Sequence, residues 1–278
     1  MRHFEWKNNS GCVVAGFSDE PTKEARAVVC IVHGLGEHAG RYHDVTHVLA
    51  DAGIAVYAID LCGHGLSDGK RGDIGSRSKV LQDIQSLIQK TKEEHPDLPV
   101  WLYGHSLGGN IVLSYRLVYG DDISGVIITS PWLILAKPVP AIQVAIMKLL
   151  VKIFPKLTIK NGLDSRQLST IMHVGVDYRN DPLVHPYISL QTGIDAIEYA
   201  KVILDRANEN HGPVLLMHGS EDQICLAEGS RQLAQKGKAF CTYHEWPGMR
   251  HELHHESIWP QEAQEIASFI LENTLQLS

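Results

Sequence analysis

The feature of this sequence that most constrains its fold is a glycine-flanked serine between an apolar run and a helix-like segment. The sequence reads Gly104-His105-Ser106-Leu107-Gly108, directly after the apolar residues 100–103. This is a G-x-S-x-G motif in a strand–turn–helix context. A serine on so sharp a turn needs neighbours without Cβ atoms, so that strand and helix can approach closely. We therefore predict that Ser106 is a nucleophile in a strained backbone conformation, although a glycine-rich turn with a solvated serine gives the same five letters.

The rest of the chain alternates between short β-branched or aromatic runs and helix-length amphipathic segments. This alternation predicts an α/β fold with a mostly parallel central sheet of about eight strands flanked by helices. The predicted strands are 13–17, 28–32, 55–61, 100–104, 125–129, 214–219 and 241–246. The predicted helices are 42–52, 79–94, 109–119, 196–208, 226–236 and 261–274.

The alternation breaks at 131–187, where a crossover between strands would need only about a dozen residues. This segment is rich in Pro, Leu, Ile and Val and contains a predicted helix at 141–154. We predict a core domain formed by 1–130 and 188–278, with 131–187 inserted as a helical cap.

Composition excludes several functional classes. The 278 residues are 44% hydrophobic, which suffices for one large core. The 25 Lys and Arg against 32 Asp and Glu give a net charge of −7, which argues against a nucleic-acid partner. The five cysteines show no close pairing, so we expect reduced thiols. With no apolar segment typical of a secretion signal near Met1, we expect a cytoplasmic protein.

A serine nucleophile needs a base, a carboxylate that orients the base, and donors for the developing oxyanion. In α/β enzymes of this kind the order along the chain is serine, acid, histidine, each after a strand. Asp222 follows the predicted strand 214–219 and is our candidate acid, with Glu221 as the second choice; a helix N-cap is the other reading of Asp222. His251 follows the strand 241–246 and is our candidate base.

The oxyanion donors are predicted from two strand ends. The strand 28–32 runs into His33-Gly34-Leu35-Gly36, where the glycines let the Leu35 N–H face the site. The N–H of Leu107, next to the serine, is the second predicted donor.

The stretch that contains the candidate base also matches a zinc-protease pattern. His251-Glu252-Leu253-His254-His255 fits H-E-x-x-H, which requires both histidines on one helix face and a third ligand. Because the stretch follows a Pro-Gly turn and the chain contains 16 histidines, we interpret the match as fortuitous and predict no metal site. His254 and His255 are expected to be solvated or to cap the last helix.

These motifs together resemble the monoacylglycerol lipase and lysophospholipase-like branch of the α/β-hydrolase superfamily. The resemblance implies an α/β-hydrolase fold, the triad Ser106, Asp222 and His251, and the oxyanion donors Leu35 and Leu107. It also implies that Glu37, Arg41, His105 and Tyr178 hold the polar end of the substrate, although Glu37 and Arg41 could simply form a local ion pair. The segments that carry the resemblance are His33–His38, Gly40–Tyr42, Asp60–Gly69, Gly104–Gly109, Asn180–Leu183 and Gly219–Asp222.

The function that follows from this resemblance is hydrolysis of carboxylic esters, with monoacylglycerol cleaved to glycerol and a fatty acid and with no cofactor. Two alternatives stay open: a general carboxylesterase or lysophospholipase with the same triad, and a non-catalytic ligand-binding relative. Cys225 is three residues after the candidate acid, so it could be a thiol near the triad or a buried inert one.

The predicted cap helix carries more apolar residues than one packing face needs. We predict that Ile146 and Leu150 line an acyl tunnel, and that the helix, with its flanking Lys148 and Lys152, makes transient contact with membrane or micelle surfaces. Ordinary packing within the cap is the alternative. The expected partner is a small lipid ester, and the expected location is the cytoplasm, peripheral to membranes.

Overall fold

A computed structural model of the chain describes residues 1–209 and 212–275, and in this part eight strands form one mostly parallel sheet. A further pair of short strands forms a second, two-stranded sheet. The strands are β1 (Arg2–Lys7), β2 (Val13–Asp19), β3 (Ala27–Val32), β4 (Ile54–Ile59), β5 (Val100–His105), β6 (Gly125–Thr129), β7 (Thr158–Lys160), β8 (Tyr187–Ser189), β9 (Val214–Gly219) and β10 (Cys241–Trp246). The helices are α1 (His43–Asp51), α2 (Arg77–Glu94), α3 (Leu107–Tyr119), α4 (Ala141–Leu150), α5 (Met172–Asn180), α6 (Leu190–Asp205), α7 (Ala227–Lys236) and α8 (Trp259–Leu275).

The strand order of the main sheet is β1-β2-β4-β3-β5-β6-β9-β10. Strand β2 is antiparallel to both of its neighbours, β1 and β4, and the remaining neighbours are parallel. Parallel strands end at the same edge of a sheet, so the loops after β3, β5, β9 and β10 lie at one edge. The predicted α/β fold with about eight strands is therefore confirmed.

The central strands are buried on both faces, as expected for parallel strands covered by helices. Along β3, Val28, Cys30 and Val32 pack in one core cluster, whereas Val29 and Ile31 pack in the other. Helices α2, α3, α6 and α7 contribute to the first cluster, and α1 and α8 contribute to the second. Among the described helices, none combines the length and apolar composition needed to cross a bilayer.

The predicted insertion, 131–187, follows β6 and contains α4, β7 and α5; β8 begins at its last residue. Hydrogen bonds join it to loops of the core: the N–H of His185 donates to the Gly36 carbonyl at 2.9 Å, and just beyond the predicted end the N–H of Ser189 donates to the Gly72 carbonyl at 2.7 Å. Helix α4 ends at Leu150 rather than at residue 154, and none of its residues is buried. The division into a core and a cap domain stays a prediction.

One further local prediction was wrong, and some elements were not predicted. The structure joins Cys12 and Cys62 in a disulfide bond, so the expectation of five reduced thiols fails for this pair. Cys12 precedes β2 and Cys62 follows β4, and antiparallel pairing of these strands brings the two positions together. Strand β1 and helix α5 were not predicted, because charged residues interrupt β1 and α5 buries only three of its residues.

One buried carboxyl group on α8 gives a stability prediction. Glu262 is fully buried; Tyr103 Oη donates to its Oε1 at 3.4 Å, and its Oε2 has no partner within the described residues. Burial raises its pKa from 4.5 to about 8. The unfolded chain therefore ionises this group at lower pH than the folded protein does, and its contribution to stability is lost as the pH rises through that range.

We expect Glu262→Gln, which keeps a neutral side chain of the same shape, to raise the melting temperature relative to wild type at about pH 9. Near pH 4 the wild-type carboxyl is mostly protonated in both the folded and the unfolded protein. The two proteins should therefore melt within about 2 °C of each other. Thermal unfolding followed by circular dichroism across this pH range measures the difference. An equal offset at every pH would contradict the buried-carboxyl explanation.

Candidate active site

Ser106 occupies a strained turn between β5 and α3. Its φ of 53° and ψ of −115° lie in a region that residues with a Cβ atom rarely adopt. The turn is possible because the backbone crowds against its glycines: a Cβ on Gly104 would lie 2.5 Å from the Gly108 carbonyl oxygen, and one on Gly108 would lie 2.0 Å from the Val32 carbonyl oxygen. The motif thus forms the sharp turn that its sequence predicts.

The structure brings the three predicted triad residues together at the edge where the parallel strands end. His251 Nε2 is 3.0 Å from Ser106 Oγ, and His251 Nδ1 is 2.7 Å from Asp222 Oδ2. Ser106 follows β5 directly, Asp222 lies in the turn after β9, and His251 lies in the loop after β10. Glu221, the second candidate acid, is exposed. The serine, the imidazole and the carboxylate therefore form one continuous hydrogen-bonded chain.

The acid is held ionised by its surroundings. Burial on its own would raise the pKa of Asp222, but His251 and His218 lower it below its usual range. The backbone N–H groups of Ile224 and Cys225 donate to Asp222 Oδ1 at 2.8 and 3.0 Å, which also favours the charged form. Burial would lower the pKa of His251, but the Asp222 carboxylate outweighs it, so that this pKa is raised.

The two predicted oxyanion donors lie beside the nucleophile. Leu107 is the first residue of α3, and the N–H groups of a helix's first turn have no partner within the helix. Gly34 and Leu35 line the same cavity as Ser106 and His251. A hydrogen bond holds the loop that carries Leu35, since the Gly34 N–H donates to Glu37 Oε1 at 2.6 Å. Both positions suit stabilisation of an oxyanion.

A cavity of about 140 Å³ opens beside Ser106. Of the predicted substrate-binding residues, Glu37, His105 and Tyr178 line it. His105 is buried, its Nδ1 lies 3.1 Å from Thr129 Oγ1, and burial together with the nearby His251 lowers its pKa to about 4. His105 is therefore neutral near pH 7.

The other three predicted binding residues do not line this cavity. Arg41 lies behind Glu37: its Nε donates to Glu37 Oε2 at 3.1 Å and its Nη2 donates to Glu252 Oε2 at 2.5 Å. Ile146 and Leu150 are 49% and 36% exposed on α4, so the prediction that they line an acyl tunnel does not agree with the structure. The physical reason is that α4 lies against α6 with no buried residue of its own and leaves these apolar side chains exposed.

Glu37 connects the oxyanion loop to a buried charge network. Its Oε1 accepts from Tyr42 Oη at 2.8 Å as well as from Gly34, and Arg41 joins it to Glu252. The guanidinium of Arg41 also lies 4.8 Å from the centre of the Tyr178 ring. The local Glu37–Arg41 ion pair that the sequence left open is thus present, and it braces the loop that carries Leu35.

Sequence reasoning missed two histidines of this region. His218 Nε2 lies 3.1 Å from Asp222 Oδ2, so a second imidazole holds the acid. His254 was expected to be solvated or to cap a helix, but it is buried, with its ring 4.5 Å from that of Tyr42 and 4.9 Å from that of His105. The position of His218 on the strand that precedes Asp222 was the only signal in the sequence for its role.

Cys225 lies in the lining of the catalytic cavity and is buried. Burial raises the pKa of its thiol well above the usual value. The thiol group is therefore protonated near pH 7.

The H-E-x-x-H match does not form a zinc-protease site. Residues Leu253–His255 form a short 3-10 turn, not the helix face that the pattern requires, and His251 contacts Asp222 and Ser106 instead. Glu252, His254 and His255 do place potential ligand atoms within 4.8 Å of one another. However, the Arg41 guanidinium already forms an ion pair with the Glu252 carboxylate, and its positive charge repels a metal ion.

The fold and the site define a serine hydrolase of the α/β-hydrolase class. A family model described as serine aminopeptidase, S33, matches residues 23–258. An uncharacterised abhydrolase domain-containing protein of Dictyostelium discoideum is 36% identical over 255 residues, which are 91% of this chain and 26% of that much longer protein. The monoacylglycerol lipase of Mycolicibacterium smegmatis is 34% identical over 239 residues, 85% of each chain.

Comparison with solved structures supports the same class of protein. The crystal structure of Paleococcus ferrophilus monoacylglycerol lipase matches with a TM-score of 0.87 and 34% sequence identity, over 94% of this chain and 99% of that one. The chain belongs to the serine aminopeptidase S33 family, within the α/β-hydrolases. The resemblance to the monoacylglycerol lipase branch is confirmed at this level.

The charge pair within the triad predicts the pH dependence of activity. His251 accepts a proton only when it is neutral, so kcat/KM should rise with pH through its pKa, which Asp222 raises above 6.5. We expect Asp222→Asn to move this acid limb to lower pH and to reduce kcat by roughly 10³- to 10⁴-fold. Steady-state rates on a soluble ester across the pH range measure both effects.

The matched control is Glu221→Gln, which neutralises the neighbouring exposed carboxylate. It should leave the acid limb and kcat unchanged. A Glu221→Gln variant as impaired as Asp222→Asn would contradict the assignment of the acid.

Proposed function

We propose that this protein is a monoacylglycerol lipase, a serine hydrolase that cleaves the ester between glycerol and one fatty acid. The observation that carries the proposal is the chain of hydrogen bonds from Asp222 through His251 to Ser106, which opens onto a cavity with both polar and apolar walls. The named activities of the Mycolicibacterium smegmatis and Paleococcus ferrophilus relatives favour the glycerol ester.

The proposed reaction begins when Ser106 Oγ attacks the ester carbonyl carbon and its proton passes to His251 Nε2. The N–H groups of Leu35 and Leu107 stabilise the negative charge on the carbonyl oxygen. The bond to the glycerol oxygen then breaks, and that oxygen takes the proton from His251. Water next attacks the acyl-enzyme and gives a proton to His251. The fatty acid leaves as this proton returns to Ser106 Oγ.

Removal of the nucleophile tests the proposal together with a substrate panel. Wild type should hydrolyse monoacylglycerols faster than lysophosphatidylcholine or short p-nitrophenyl esters, and Ser106→Ala should lower kcat by roughly 10⁴-fold or more on all of them while the protein stays folded. Ser78→Ala, on the exposed side of α2, is the control and should match wild type. Wild type should also be labelled by a fluorophosphonate.

The outcomes separate the candidate functions. Faster cleavage of lysophosphatidylcholine or of simple esters would instead support the lysophospholipase or carboxylesterase alternative. A folded wild-type protein that is neither labelled nor active would be a non-catalytic relative. Ester hydrolysis that persists in Ser106→Ala would reject the nucleophile.

We also propose that α4 and the turn after it contact a lipid surface during catalysis. Apolar side chains of α4 and of the turn after it are exposed to solvent, and Lys148 lies on the same helix. Exposed apolar residues on one helix favour binding at a membrane interface. The Lys148 ammonium lies 2.7 Å from a Glu198 carboxylate oxygen, so its charge is paired in this structure. The exposed apolar residues are Ile142, Ile146, Leu149, Leu150, Ile153 and Phe154.

Replacement of two of these residues tests the lipid contact. We expect Ile146→Asp with Leu150→Asp to reduce cosedimentation with phospholipid vesicles and to lower the rate on vesicle-embedded monoacylglycerol by about tenfold, because two carboxylates would enter the apolar layer. The rate on a dissolved short-chain ester should stay unchanged, because neither residue lines the cavity. Val118→Asp, at an exposed apolar position of α3, is the control. Unaltered vesicle binding in the double variant would exclude this contact.

A further inference from the structure

Asn161 lies where the insertion meets the oxyanion loop, and neither the sequence motifs nor the proposed mechanism uses it. It follows β7, and its backbone N–H donates to the Pro186 carbonyl at 2.8 Å, so its position is fixed by the β7–β8 pair. Its side chain lines the catalytic cavity together with Ser106 and Tyr178. Its Nδ2 is buried and has no hydrogen-bond partner among the described residues.

The orientation of this amide is set by the local turn. Asn161 Oδ1 accepts a hydrogen bond from the Leu163 N–H at 3.0 Å, an Asx turn that leaves the NH2 group on the other side. A flipped amide would lose this bond and set a donor against a donor. The free donor therefore points away from the turn.

Asn161 Nδ2 lies near Gly36. A Cβ atom on Gly36 would lie 3.5 Å from Asn161 Nδ2 and 3.1 Å from Tyr178 Oη, so these two polar groups converge above the residue that follows Leu35. Tyr178 in turn lies over Arg41, whose partner Glu37 also lines the cavity. This wall of the cavity is polar.

Another part of the lining is apolar. Leu135 forms a β-bridge with Cys225, and the Ala136 N–H donates to the Ile224 carbonyl at 3.0 Å, so that these two segments run side by side. Leu135, Ile224 and Cys225 all line the cavity. An ester whose carbonyl carbon meets Ser106 extends an acyl part and an alcohol part in different directions. Walls of opposite polarity favour the acyl part against Leu135 and the alcohol part against Asn161.

We propose that Asn161 is a specificity-determining residue that donates a hydrogen bond from Nδ2 to a hydroxyl group of the polyol leaving group. This inference rests on the proposed function and names the group that distinguishes a glycerol ester from a simple ester. A buried donor without a partner is costly, and a substrate hydroxyl relieves this cost whereas an alkyl group does not. A site built in this way discriminates strongly against analogues that lack the hydroxyl.

Two variants and two substrates test the inference. The substrates are a monoacylglycerol and the methyl ester of the same fatty acid, presented in the same detergent. Asn161→Asp keeps the acceptor of the turn and removes the donor, and Asn161→Ala removes the donor without adding charge. Both should lower kcat/KM on the monoacylglycerol by about tenfold or more, chiefly through KM, and leave the methyl ester within about twofold. Melting temperatures establish that both variants are folded.

The control is Asn208→Asp, which makes the same change at an exposed position and should leave both rates unchanged. Equal losses on the two substrates, no loss on either, or a loss in Asn161→Asp alone would overturn the inference, since these results indicate a structural role, a bound water or a charge effect. If wild type hydrolyses the methyl ester but not the monoacylglycerol, the proposed function fails and the inference fails with it. Failure of Asn161 alone leaves the wild-type preference for monoacylglycerol intact.

Discussion

The strained turn at Ser106 is the constraint on which the rest of the site depends. A positive φ at a residue with a Cβ atom is unfavourable and persists only where the surroundings hold it. Here β3, β5 and α3 pack so closely that a side chain on Gly108 would overlap the Val32 carbonyl. The same turn directs Ser106 Oγ toward His251 and puts Leu107 at the start of α3. The packing of the sheet core therefore holds Ser106 in its strained backbone conformation.

Electrostatics then determine what that serine can do. Asp222 is buried, yet it stays ionised, because two imidazoles and two backbone N–H groups contact it. Its charge raises the pKa of His251, whereas His105, buried nearby without a carboxylate in contact, has a pKa of about 4. Two neighbouring histidines thus differ in basicity because only one of them is paired with an anion. This difference makes His251 the better base.

The sequence predicted the central architecture because parallel strands and their helices leave strong periodic patterns. All seven strands predicted from the sequence are present with small shifts in their ends, and the triad followed from its order along the chain. Contacts that depend on the conformation of a turn or on which strands pair could not be predicted. His218 reaches Asp222 only through the turn after β9, and Cys12 reaches Cys62 only through the pairing of β2 with β4. The outward direction of Ile146 likewise depends on how α4 lies on α6, which its apolar pattern does not specify.

The proposed chemistry and the proposed choice of substrate involve different parts of the chain. Ser106 and His251 follow core strands, whereas Asn161 and Tyr178 belong to the insertion, which reaches the site through its contact with the Gly36 loop. The insertion adds no strand to the main sheet and meets the core through hydrogen bonds. One of these bonds, from the Trp132 N–H to the Ser106 carbonyl at 3.0 Å, reaches the turn at the nucleophile itself. In this proposal the core supplies the catalytic groups, and the insertion supplies the polar wall that selects the ester.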